Sequence, residues 1–366
     1  EQNSGLIQVL LGPRQVGKTT SILRLIEDHY KEDSLYASAD QVFNSDAGWL
    51  IEQWSRAARE NKILFIDEIQ KCENWAEVIK KLYDEHRAQK RKARCVLLGS
   101  SSLEIQKGLT ESLTGRFQLT QVYHWNYLES KKAYQLSFDE YLMRGGYPGS
   151  YLFKDPQEWA SYVKHSIVST VIEKDILQYQ NVKSPSLFRQ AFEMLIGYPA
   201  QEISYTKLLG QLQERGNVEI IKNYIRLYEG AYLIKALEKY SPATIKTKSS
   251  SPKILPLAPC FYYLTLMDEY TREEKGRALE LLVGAQLVRT DGQLYYWREG
   301  SAEVDYVLKR GRYVWAIEVK SRERPSYRGL EAFRKKYPKS YSVVVTLENY
   351  VDFERDPMGF LESHIG

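Results

Sequence analysis

The sequence is poor in the residues that staple small folds or build metal clusters. It holds three cysteines, Cys72, Cys95 and Cys260, too few and too scattered for a disulfide framework. That sparseness fits a reducing, cytoplasmic compartment. Its five histidines, at 29, 86, 124, 165 and 364, are equally dispersed, and no Cys/His spacing suggests a structural zinc site. No apolar run approaches the roughly 20 residues that span a bilayer, so no membrane partner is expected. No signal peptide opens the chain. The first residue is Glu1 rather than Met, which suits a trimmed or processed copy. A large charge of one sign is also missing: 51 Lys/Arg against 47 Asp/Glu leave +4, which alone does not argue for a polyanionic partner. The hydrophobic 43% and charged 27% are ordinary for a soluble globular protein and exclude collagen-like, mucin-like and largely disordered classes. A chain of 366 residues suggests two or three domains at about 150 residues each.

Against that plain background one stretch carries chemistry. Leu6–Leu11 is a short apolar run that reads as a buried parallel strand. It leads into Gly12-Pro13-Arg14-Gln15-Val16-Gly17-Lys18-Thr19-Thr20, a full G-x-x-x-x-G-K-[ST] loop, followed by a helix with Ile22, Leu25 and Ile26 on one face. Glycines let the backbone wrap closely, so that its N–H groups and the helix N-terminus point at phosphate oxygens. Lys18 then reaches the β- and γ-phosphates, and Thr19 offers a hydroxyl to Mg²⁺. Ile63–Ile66 reads as a central strand ending in Asp67-Glu68. Ligands bind at the C-terminal edge of open α/β sheets, so Asp67 is placed in the Mg²⁺ shell and Glu68 beside the attacking water. Cys95–Leu98 is a third strand, ending in Gly99-Ser100-Ser101-Ser102, whose hydroxyls could meet the γ-phosphate or simply cap a helix.

Residues 5–125 resemble the AAA+ branch of the P-loop NTPases, in particular bacterial and archaeal members with GPRQVGKTT and LFIDEIQ motifs. The resemblance implies ATP as ligand and a five-stranded parallel sheet with the Ser100 strand between the other two. It makes Ser100 a sensor of the γ-phosphate and Arg116, in Leu113-Thr114-Gly115-Arg116, a candidate arginine finger. An arginine supplied across a subunit interface would imply a homo-oligomer through Arg116. The same likeness lets Arg144, in Arg144-Gly145-Gly146-Tyr147-Pro148, approach the nucleotide, with a structural turn as the competing reading.

Residues 126–184 read as mostly helical, a lid. Residues 185–250 have the rhythm of a winged helix. Phe188, Phe192, Leu195 and Ile196 share one face; Ser204 opens a helix with Leu208, Leu209 and Leu212; Asn217 caps a third with Val218, Ile221, Tyr224, Ile225 and Tyr228 inward. Its outward Glu219, Lys222, Asn223, Arg226 and Glu229 are a weak footprint for DNA, and a spacer or protein-contact module competes. Residues 241–253 read as an exposed linker.

The last segment, 251–366, carries a second constellation. Glu280 sits mid-helix, Asp305 on one strand, and Glu318 and Lys320 on one face of the next, joined by a short turn that would pair Asp305 with Glu318. Two carboxylates and a lysine on a sheet face can hold Mg²⁺ or Mn²⁺ and activate water for phosphodiester hydrolysis. The pattern resembles the PD-(D/E)xK nuclease fold, and a hairpin with solvated charges is the bland alternative. Residues 301–340 hold eleven Lys/Arg against five Asp/Glu, +6, which suits a phosphate backbone or a solvated helix equally. The expected architecture is α/β throughout: an AAA+ core at 1–125, the lid, the winged-helix-like module and an α/β nuclease-like domain. The expected activity is ATP hydrolysis coupled to DNA, with Asp305 and Glu318 as metal ligands. A nucleotide-switched binding module with an inactive nuclease-like domain is the alternative.

Overall fold

Chain contacts divide the protein into two units, 1–123 with 169–181, and 124–168 with 182–366. The computed structural model describes residues 5–43, 45–90, 94–100, 103–178, 180–212, 218–241, 250–321 and 327–365. Ser101, Ser102, the expected cap Asn217, residues 242–249 of the expected linker and residues 322–326 of the basic stretch lie outside them.

In the first unit the short apolar runs become parallel strands: β1 (Ile7–Gly12), β2 (Ser34–Ser38), β3 (Ile63–Asp67), β4 (Cys95–Ser100) and β5 (Phe117–Gln121), in the order β2-β3-β4-β1-β5. The Ser100 strand thus lies between β3 and β1, as expected. β3 is buried along its whole length. Its Leu64 and Ile66 pack with Val9 and Leu11 in one layer, and its Ile63 and Phe65 with Ile22 and Leu98 in the other. Burying a side chain of that size contributes about 1.5–3 kcal/mol. A one-residue slip would swap the two layers, so the register that aligns the strand ends is strongly fixed. Helices α1 (Lys18–Leu25), α2 (Ala47–Glu60), α3 (Trp75–Ala88) and α4 (Leu103–Glu111) connect the strands.

The second unit opens with α5 (Tyr127–Tyr134) and α6 (Phe138–Arg144), each started by a capping box, Asn126 with Glu129 and Ser137 with Glu140. Arg144 directs its donors to the carbonyls of Phe153 and Lys154 and lies over the Trp159 ring, all within this unit, as a structural turn would have it. Of the helices that follow, three are used below, α7 (Pro185–Ile196), α8 (Tyr205–Gln211) and α9 (Val218–Gly230). Their expected inward residues are buried, except Leu209 and Val218, which are half-buried. On α9 the outward Lys222 pairs with Glu219, Arg226 donates to Asn223, and Glu229 pairs with Lys235.

The remaining strands are β6 (Gln201–Glu202), β7 (Ile234–Lys239), β8 (Lys253–Pro256), β9 (Gln293–Glu299), β10 (Ala302–Arg310), β11 (Tyr313–Lys320) and β12 (Tyr341–Thr346). They form one seven-stranded sheet, β12-β11-β10-β9-β7-β8-β6. β7 pairs with β9 through Glu238 and Tyr295, so the sheet runs straight across the expected boundary at 250. Helices α10 (Pro259–Leu266), α11 (Arg272–Val288) and α12 (Arg328–Lys336) complete the segment used below. One expectation fails here. Lys253, read as the end of an exposed linker, is a strand residue with only 1% of its surface exposed. The Ser/Lys-rich composition before it masked a strand whose partner charges come from distant residues. Among the described residues no helix is long and apolar enough to cross a membrane.

Candidate functional site

The phosphate loop follows directly from β1. Gly12 is required there because a Cβ would stand 2.3 Å from the Val122 carbonyl oxygen. Gly17 adopts a left-handed φ of 89° immediately before α1, a conformation that costs glycine nothing. Lys18 is thereby the first residue of α1, and its Nζ donates to the loop's own carbonyls of Gly12 (2.9 Å) and Pro13 (2.6 Å). Burial lowers the Lys18 ammonium to about 8, against the raising pull of Glu68 and Asp175. Within the same loop Val16 is buried, while Gln15 and Thr20 are exposed.

Parallel strands bring the expected partners to the same edge. Thr19 Oγ1 donates to Asp67 Oδ2 at 2.6 Å, and the Tyr36 hydroxyl donates to the same oxygen at 2.9 Å. Asp67 Oδ1 accepts the Glu68 N–H at 2.9 Å. A hard divalent cation wants oxygen ligands, and a hydroxyl beside a buried carboxylate fits Mg²⁺. Glu68 takes a left-handed φ of 52°, which turns its side chain away from the strand. Burial raises its carboxyl, and Arg14 opposes that. Gln70 Nε2 donates both to Glu68 and to Ser100 Oγ, so it couples the two expected catalytic groups.

Two residues that the sequence reading did not single out complete this edge. Asp175, only 2% exposed, comes from the 169–181 segment and accepts Arg14 Nη2 at 2.5 Å and Nε at 3.0 Å. Ser100 Oγ donates to Asp175 at 3.3 Å. A buried acid between Val171, Ile172 and Ile176 was a usable signal; its partner, 161 residues away, was not. Tyr36 likewise carries no motif.

Arg116 lies elsewhere. Its carbonyl accepts the Ile7 N–H, which puts it at the N-terminal edge of the sheet, a strand's length from the loop. Its guanidinium forks onto Asp84 at 2.9 Å through both nitrogens. It makes no contact with the phosphate loop of its own subunit.

In the second unit the other four expected residues do converge. Glu280 on α11, Asp305 on β10, and Glu318 and Lys320 on β11 line one cavity of about 480 Å³ with Arg277 and Glu303. The β10–β9 pairing shifts register between Val304 and Val307, at Asp305; such bulges re-aim side chains. Asp305 Oδ2 accepts the Val319 N–H at 2.7 Å, and Lys320 donates to Glu318. The group that sequence reasoning missed is Lys253, whose Nζ donates to Glu280 Oε1 at 2.5 Å and to the Asp305 carbonyl at 3.1 Å. Burial works against its charge, but Glu280, Asp305 and Glu303 outweigh it and hold the ammonium above its ordinary value. Among the described residues no three His, Cys, Asp or Glu side chains are grouped to hold a metal ion. An ammonium already embedded among the acids does not fit Mg²⁺ or Mn²⁺ there.

Residues 4–142 match the family described as an AAA domain, and residues 135–257 and 275–358 match two domains of unknown function, DUF8612 and DUF4143. The uncharacterized protein MJ1544 of Methanocaldococcus jannaschii is 27% identical over 329 residues, which cover 82% of this chain and 72% of that protein. The uncharacterized protein Rv2008c of Mycobacterium tuberculosis is 26% identical, over 87% of this chain and 71% of that protein. Among solved structures, the Walker-type ATPase PABY2304 of Pyrococcus abyssi is 14% identical over 72% of this chain and 91% of its own, with a TM-score of 0.48. The RuvB Holliday junction branch migration motor of Thermotoga maritima is 17% identical over 65% and 82%, with a TM-score of 0.33. Those two structural likenesses are too loose to carry an argument. The AAA match, together with the loop and strand geometry, makes the N-terminal part of the chain an AAA-type P-loop domain.

Proposed function

We propose that the chain binds ATP with Mg²⁺ at the loop, hydrolyses it, and couples turnover to DNA held, not cut, by its C-terminal half. The observation that carries the first part is the convergence of Lys18, Thr19, Asp67, Glu68 and Ser100 at one sheet edge, with Thr19 already 2.6 Å from Asp67. Phosphoryl transfer depends on positioning and charge stabilisation. Lys18 places its ammonium on the β- and γ-phosphates. Thr19 and Asp67 would hold Mg²⁺, which supplies neutralisation of phosphate charge. Glu68, made more basic by burial, accepts the proton of the attacking water. Gln70 keeps Glu68 and Ser100 in register with each other.

Phosphate release by the Glu68→Gln variant tests this. Turnover should fall about 10²–10⁴-fold, the usual worth of a general base, while nucleotide affinity stays. A variant that turns over like the unaltered protein sinks the assignment.

The DNA part is supported by the +6 excess in residues 301–340. Binding to a duplex should weaken linearly in log affinity against log salt, and anisotropy at two ionic strengths reads it. No binding at low salt removes DNA from the proposal. Mg²⁺-dependent cleavage that disappears in Glu318→Ala would restore the nuclease reading.

A further inference from the structure

We infer that Lys253 is the buried counter-cation beneath the acids that line the C-terminal cavity, so that this constellation is complete without a divalent metal. Four carboxylates, from Glu280, Glu303, Asp305 and Glu318, face one cavity. Acids gathered in this way need positive charge, and a buried charge must be paired and hydrogen-bonded to persist. Lys253 meets both needs. An ammonium has three donors and no acceptor. Here one goes to Glu280 Oε1 and one to the Asp305 carbonyl, and the Tyr306 ring face lies 5.0 Å from the nitrogen. Asp305 Oδ1 and Glu303 Oε1 each stand at 4.0 Å from the same nitrogen.

Two more of the acids' oxygens have hydrogen-bond partners. Asp305 Oδ2 takes the Val319 N–H, and Glu318 Oε1 takes Lys320. Glu318 Oε2 alone among the carboxylate oxygens of the described residues is buried without a hydrogen-bond partner. A dication at Asp305 and Glu318 would sit against the embedded ammonium, and like charges in a poorly solvated place repel strongly. The ammonium therefore does what a metal would otherwise do for the fold. It ties β8 to α11 and β10. It cannot do what a metal does for hydrolysis, because it offers no open coordination position to a water or a phosphate oxygen. The inference is independent of the nucleotide site.

The test is Mn²⁺ binding to the full chain without nucleotide, read as loss of the free-ion electron paramagnetic resonance signal. The unaltered protein and Glu318→Gln should behave alike, with no ion lost on that substitution. Lys253→Met should gain one bound Mn²⁺ per chain, and Lys253→Met/Glu318→Gln should lose it again, while Lys253→Met/Asp67→Asn should keep it. Mn²⁺ should raise the melting temperature of Lys253→Met and leave that of the unaltered protein unchanged. A Mn²⁺ ion bound by the unaltered protein and lost in Glu318→Gln overturns the inference. So does a folded Lys253→Met that gains no ion. Should Lys253→Met fail to fold, the first comparison still decides.

Discussion

Arg14, inside the phosphate loop, and Asp175, 161 residues later, are joined by three hydrogen bonds within the first unit. The loop's second variable position thus anchors a segment that leaves the unit and returns to it. Asp175 is 2% exposed and the Arg14 side chain 22%, so the pair is nearly dry. Removing one partner of such a pair strands the other's charge, which costs about 3–5 kcal/mol; the partly wetted Arg14 favours the low end. Arg14→Ala should therefore destabilise strongly. Arg14→Ala/Asp175→Asn should recover most of that loss, because the stranded charge is gone. Urea unfolding of both variants measures it. Equal destabilisation by the single and the double substitution would mean the pair is not electrostatically coupled.

Lys18 gives the nucleotide site a pH dependence. Burial lowers its ammonium to about 8 in the empty site. Bound phosphates favour the charged form and raise it again. Below pH 8 the charge is present and binding is at full strength. Above pH 8 binding must first take up a proton, so affinity falls as pH rises, by up to about tenfold per unit. Dissociation constants for ATP at pH 7 and pH 9 test this, with Lys18→Met as the flat control. Equal affinity at the two values would show that the ammonium is not what grips the phosphates.

The phosphate loop and the acids ending β3 were legible because each is a local signal. An apolar run sets the strand, and the residues just after it must then lie at the sheet's ligand edge. Asp305, Glu318 and Lys320 were legible for a related reason, strand alternation plus a tight turn, whereas Glu280, on a helix, entered only through the likeness to the nuclease fold. Lys253 was not, and of Asp175 only its apolar surroundings were. Each is a charge buried by partners more than 20 residues away, 27 for Lys253 to Glu280, and neither its spacing nor its neighbours announce the partner. Lys253 in addition follows a Ser/Lys/Pro-rich stretch, whose composition argues for solvent. The seven-stranded sheet was hidden for a similar reason, since the β7–β9 pairing joins segments that read as separate domains.

Tyr36 is a second support for Asp67, the carboxylate proposed to hold Mg²⁺. Its hydroxyl donates to the same Asp67 oxygen that Thr19 contacts. Hydrogen bonds to a charged group are worth about 1.5–3 kcal/mol, and this one fixes the rotamer of Asp67. Tyr36→Phe keeps the ring and removes only the donor. It should raise the Mg²⁺ concentration needed for half-maximal ATP turnover by about tenfold, the equivalent of roughly 1.4 kcal/mol, while maximal turnover at saturating Mg²⁺ changes little. A Mg²⁺ titration at fixed ATP reads this. An unchanged midpoint would show that Asp67 holds its place without the tyrosine.

The arginine-finger role expected of Arg116 needs a second copy of the chain. The Arg116 carbonyl is tied to Ile7 at the sheet edge opposite the loop, and its guanidinium is parked on Asp84, the two side chains 27% and 44% exposed. An arginine so placed cannot serve its own phosphates, yet it is free to exchange an exposed carboxylate for a neighbour's nucleotide. If it does, Arg116→Ala should lose turnover by about 10³-fold or more, in the range known for arginine fingers, with ATP affinity retained. The decisive measurement is a mixture of Arg116→Ala with Glu68→Gln. A subunit that keeps Glu68 can then meet one that keeps Arg116, and the mixture should show turnover that neither variant has alone. Activity no greater than the sum of the two separate variants would leave Arg116 as a surface partner of Asp84 and remove the reason to expect a functional oligomer.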